Sequence, residues 1–149
     1  MFKKMMKTSN DITPIILRLF LGAVFFPHGA QKALGWFGGY GFTGTMGFFT
    51  QKMGIPVVLA LLIITAEFLG SIGLITGFLT RLSAFGIASV MTGAIFMVHL
   101  PNGFFMNWSG KQAGEGFEFH LLAIAIALSL VFTGGGGFSI DGLIASRPD

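Results

Sequence analysis

Cysteine is absent from the 149 residues. This excludes a disulfide framework, a thiolate metal site and thiol redox chemistry carried by the chain itself. Charge is scarce as well: 10% of the residues are Asp, Glu, Lys or Arg, against roughly 25% in an ordinary soluble domain. A soluble fold of this size could not hide 18 Phe and a 53% hydrophobic composition behind so few charges. With a mean hydropathy of +0.80, the chain reads as a membrane protein, and soluble enzyme folds and nucleic-acid-binding modules drop out. The net charge of +3 does not restore a nucleic-acid partner, because the basic residues are scattered singly and only Lys3, Lys4 and Lys7 cluster. That cluster acts instead as a topology signal.

Long apolar runs are what the sequence has. A helix needs about 20 mostly apolar residues to cross the hydrocarbon core, and four stretches qualify, at about 13–34, 56–78, 82–100 and 117–133. Punctuation supports the ends: Thr13-Pro14 and Pro56 open two spans, Pro101 closes the third, and the Gly134 to Gly137 tract ends the fourth. The expected fold is all-α, a single integral-membrane four-helix bundle over residues 1–149. Arg18 within the first run, and the lack of a small-x-small site before Gln31 and Lys32, favour an uncleaved first helix over a signal peptide. Lys3, Lys4, Lys7, Arg81 and Arg147 then fall on one side and Lys32, Lys52 and Lys111 on the other. Both termini are expected in the cytoplasm. Between the first two spans, Phe42, Met46, Phe49 and Met53 recur at helical spacing, which predicts a short helix in the outer interface. Trp36, Tyr40 and Trp108 suit the aromatic belt on that side.

Ionisable groups inside spans are costly and mark candidate sites. At about 1.5 Å per residue, Arg18 lies some 8 Å and Glu67 some 16 Å from the same membrane face. The depths predict a buried Arg18–Glu67 ion pair; the sharper alternative makes Glu67 a protonatable group serving a polar ligand or proton path. A second layer places His28 at about 22 Å, His99 at about 26 Å and His120 at about 20 Å, with Lys32 and Glu118 close in depth. This layer could ring a small polar head group, or hold a metal between His28, His99, His120 and Glu118. No two of those ligands share one helix face, so a metal would require three helices to converge; ordinary interfacial histidines are the bland alternative. Pro27, beside His28, frees the carbonyl of Ala23 and would kink the first helix. Gly22-Ala23-Val24-Phe25-Phe26-Pro27-His28 also matches Gly93-Ala94-Ile95-Phe96-Met97-Val98-His99 at Gly, Ala, Phe and His, the pattern of a parallel internal repeat.

The ordered motifs resemble the DoxX family of small bacterial four-helix membrane proteins. They include Arg18-Leu19 with Gly22, His28-Gly29, Lys32, Gly54-Ile55-Pro56, Glu67-Phe68-Leu69-Gly70, Thr80-Arg81, Gly114-Glu115-Gly116-Phe117-Glu118 and Ser139-Ile140-Asp141. The resemblance implies a multi-pass protein of the bacterial cytoplasmic membrane. It places Arg18, His28, Lys32, Glu67 and Glu118 at the family's polar positions. The family is similar to the DoxD-type subunit of thiosulfate:quinone oxidoreductase, but this chain lacks the cysteines and soluble sulfur-handling domain of a self-contained thiosulfate enzyme. The expected function is therefore an oxidoreductase subunit that binds a quinone-like or other lipophilic molecule. His28, Lys32, Glu67, His99, Glu118 and His120 are the candidate ligand-binding residues. Membrane lipids, a soluble redox partner and further copies of the chain are the expected partners. A small carrier for a lipophilic metabolite and a non-catalytic anchor recruiting soluble redox or stress partners are the competing classes.

Overall fold

The computed structural model describes residues 6–8 and 10–146; Lys3, Lys4 and Arg147, part of the expected topology signal, lie outside them. The described chain is all-helical. Helix α1 (Ile12–Leu34) leads through a turn at Trp36–Gly38 into α2 (Gly41–Gly47), which a wide π turn extends over Phe48–Lys52. Helix α3 (Val57–Thr76) follows, then α4 (Thr80–Ala94), drawn out by a π turn at Ile95–His99 and a tight turn at Leu100–Asn102. Helices α5 (Glu118–Thr133) and α6 (Ile140–Ala145) complete the order.

Among the described residues, three helices are long and apolar enough to cross a membrane: Ile12–Leu34, Val57–Thr76 and Thr80–Asn102. The fourth expected span is shorter. Glu118–Thr133 has 16 residues, or about 24 Å of rise against the ~30 Å hydrocarbon core. Its apolar run stops at Gly134, whose φ of 80° leaves the helical region.

The long helices form a ring in which α1 packs on α3, α3 on α4, α4 on α5, and α5 closes against α1. Their shared core is narrow, built from Leu21, Phe25, Leu74, Ile87, Met91 and Leu130 around small Ala84, Ala123 and Ala127. Outside it, Phe20, Leu62, Phe85 and Leu122 are largely exposed. Apolar side chains on both faces of a helix belong to a bundle whose outer surface meets lipid rather than water.

Glycine permits the close contact between α1 and α3. A Cβ at Gly29 would stand 2.5 Å from the Phe68 Cα, and one at Gly22 3.0 Å from the Ser71 carbonyl oxygen. These two positions, seven residues apart on one face of α1, let the α1 and α3 backbones touch. Gly93, the counterpart of Gly22 in the expected repeat, has no such neighbour; the sequence match does not extend to equivalent packing.

The loop between α1 and α3 forms the expected short helix. Phe49 is buried, and Met46 and Met53 pack with it against Ile55, Ala60 and Ile64, while Phe42 stays exposed. Most of the apolar stripe therefore covers α3 instead of facing outward. Trp36, Tyr40 and Trp108 are exposed at this end of the bundle.

Candidate functional site

Buried polar groups gather at the two ends of the bundle. At the end where α3 passes into α4, Arg18 is the organising residue. Its Nε donates to the Gly135 carbonyl at 2.9 Å and Nη2 to that of Phe138 at 2.8 Å. Nη1 donates to Leu74 at 3.1 Å and Ile75 at 2.6 Å. Those last two carbonyls belong to the final turn of α3, where intrahelical donors run out; that of Leu74 has only a long 3.3 Å bond from the Gly77 amide beside it. Arg81 does the same for α5, donating to the carbonyls of Val131 at 2.5 Å and Phe132 at 2.8 Å. Asp141 reverses the sign: its carboxylate accepts from the Leu79 and Thr80 amides, at 2.7 and 2.8 Å, and so caps the start of α4. Helix-end carbonyls take cations and helix-end amides take an anion, so this end is a capping assembly. A surface cavity of about 460 Å³ lies beside it, lined by Asn10, Gly136, Phe138, Ser139 and Leu143 among others.

The expected Arg18–Glu67 pair does not form. Side chains on a helix lean toward its N-terminus, and α1 and α3 run in opposite directions. Arg18 therefore leans toward the capped end and Glu67 toward the other. Lys32 leans back down α1 toward Glu67, and the two meet with Nζ 2.5 Å from Oε2. Glu67 is 5% exposed and Lys32 25%, so the carboxylate is enclosed while the lysine keeps a route to the outside.

The histidines occupy the same end as Lys32. In α4 the π turn before Pro101 inserts a residue into the helical winding and rotates the rest of the helix by about 100°. His99 closes that turn and meets His120, in the first turn of α5, with ring centroids 4.0 Å apart and planes tilted by 43°. His99 Nδ1 bonds the Glu115 carbonyl at 2.8 Å. His120 is 6% exposed, and its Nδ1 is buried without a hydrogen-bond partner. Such an atom costs about 1–3 kcal/mol. Of the three side-chain atoms so placed among the described residues, Thr80 Oγ1 and Arg81 Nε lie at the capped end. His120 Nδ1 alone lies at the histidine end.

His28 does not join the pair. It sits exposed on α1, one turn before Lys32 and within electrostatic reach of Lys32, Glu67 and His120. Helix α1 runs through Pro27 without a break, and His28 just after it faces outward. Glu118 is also occupied otherwise: it accepts from the Met106 amide at 2.9 Å, as Glu115 does from the Asn107 amide at 2.6 Å. Both carboxylates pin the 103–117 loop over the end of the bundle. No three His, Asp or Glu side chains converge in metal-holding geometry among the described residues, so the set His28, His99, His120 and Glu118 is not assembled as a metal site.

Comparison with known proteins places this architecture. The DoxX family profile matches residues 13–100, from the start of α1 through Leu100. The chain belongs to the DoxX family. This DoxX protein is 29% identical over 136 residues to a Bacillus subtilis (strain 168) protein named "Putative oxidoreductase CatD", covering 91% of this chain and 90% of that protein. It is 28% identical over 142 residues to the inner membrane protein YqjF of Escherichia coli (strain K12), covering 95% of this chain and 99% of that protein. No solved structure matches the chain. The DoxX match includes Arg18, His28, Lys32, Glu67, Arg81 and His99, whereas Glu118, His120 and Asp141 lie beyond its end.

Proposed function

We propose that this DoxX protein is a subunit of a bacterial inner-membrane redox system that binds the head group of a quinone-like lipophilic molecule at the His99–His120 end. One observation carries the reading: a buried ring nitrogen of His120 without a partner, on a ring packed against that of His99. An apolar bundle with a few convergent polar groups is the setting that such a ligand requires. The Lys32–Glu67 pair between α1 and α3 is the candidate for proton exchange with the bound head group, with exposed His28 as the link outward. Electrons come from a soluble redox partner, since the chain carries no thiol of its own, and further copies of the chain are the expected companions in the membrane. The oxidoreductase name of one relative and the inner-membrane name of the other support this assignment. We place both termini in the cytoplasm, because Lys7 and Arg81 meet at the capped end and the sequence carries further basic residues, Lys3, Lys4 and Arg147, near its two ends.

Native mass spectrometry of the protein extracted from its own membrane in mild detergent tests the reading. A retained quinone-sized adduct that disappears in His120→Phe is the expected result. A spectrum with phospholipid adducts only would overturn it and favour the carrier or the anchor.

A further inference from the structure

The two adjacent histidines offer a hydrogen-bonding pattern that distinguishes the oxidation states of a ligand. The Glu115 carbonyl oxygen can only accept, so the 2.8 Å bond requires the proton of neutral His99 on Nδ1. Its Nε2 is then a lone pair, and no described residue bonds it. His120 contributes the other half, a ring nitrogen that is buried and unbonded. With ring centroids 4.0 Å apart and planes tilted by 43°, the two imidazoles are close enough to flank one ligand oxygen.

A carbonyl oxygen has no proton to give and would set its own lone pairs against that of His99. A hydroxyl oxygen satisfies both rings, because its O–H donates to His99 Nε2 while the oxygen accepts from an N–H of His120. We infer that the His99–His120 pair selects the hydroxyl-bearing, reduced form of its lipophilic ring ligand, a quinol, over the carbonyl-bearing quinone. This selectivity rests on the functional reading above, and its failure is separable from the failure of that reading. His99 acts here as a binding and specificity residue, and its tautomer is set by the loop that Glu115 and Glu118 pin in place.

The test uses the full chain in phospholipid nanodiscs, titrated anaerobically with a short-chain benzoquinone and, separately, with its quinol. Empty nanodiscs provide the partition background. The expected result is quinol binding at least tenfold tighter than quinone binding. His99→Phe removes both the acceptor for the quinol hydroxyl and the lone pair that opposes the quinone carbonyl, and so brings the ratio near one. Equal affinities, or tighter quinone, would overturn the selectivity and leave a quinone site standing. Binding of neither form above background would overturn the site itself. The wild-type ratio decides the question even where His99→Phe fails to fold.

Discussion

Breaking the Lys32–Glu67 contact should cost different amounts from its two sides, because the partners differ in their access to water. Nζ and Oε2 lie 2.5 Å apart; at an effective dielectric of about 20 the gross attraction is about 6–7 kcal/mol, most of it offset by desolvation. Lys32→Met strands a carboxylate that is 5% exposed and should destabilise by about 3 kcal/mol, at the low end of the cost of orphaning a buried charge. Glu67→Gln leaves a lysine that is 25% exposed. Its four-carbon stem can carry the ammonium outward, so about 1.5 kcal/mol is expected. The double variant, with no charge left to strand, should cost about 2 kcal/mol, which gives a coupling of about 2.5 kcal/mol. The same cycle run with Arg18→Met and Glu67→Gln should be additive within about 0.5 kcal/mol, because the two residues share no partner. Equilibrium unfolding in mixed dodecylsulfate micelles, followed by helical circular dichroism, supplies the six stabilities. A Lys32–Glu67 coupling below about 0.5 kcal/mol, with an Arg18–Glu67 coupling above about 1 kcal/mol, would refute the pairing and the leaning argument that explains it.

Three other substitutions probe the frame. Gly29→Ala places a Cβ 2.5 Å from the Phe68 backbone and should cost about 1–3 kcal/mol as overpacking, whereas Gly93→Ala, with open space at its Cβ, should be neutral or slightly stabilising; thermal unfolding in detergent distinguishes them, and equal effects would argue against the close α1–α3 crossing. Asp141→Ala removes the acceptor for two amides at the start of α4 and should cost about 2 kcal/mol, at the top of the capping range. Hydrogen exchange should show that loss as faster exchange at Leu79 and Thr80; unchanged protection there would mean that the cap contributes nothing.

Hydropathy alone determined that the chain is an all-α membrane protein, because apolar runs of span length have few other homes. The short helix after α1 was also legible from its i, i+3 and i, i+4 apolar stripe, although the surface it covers was not: periodicity reports that a face is apolar without saying whether protein or lipid meets it. Depth arithmetic found the layers of Arg18, Glu67 and the histidines, since rise per residue is fixed. It misassigned the partner of Glu67, because antiparallel α1 and α3 lean their side chains in opposite directions and the partner is chosen by that lean. His99 and His120 were expected at one level, but only the π turn before Pro101 brings their rings together, while His28 at a similar depth stays outside. The roles of Arg18, Arg81 and Asp141 were hidden for a related reason. A helix end declares its unmet carbonyls or amides in the sequence, but the residue that satisfies them comes from tens of positions away, and only packing decides which one arrives.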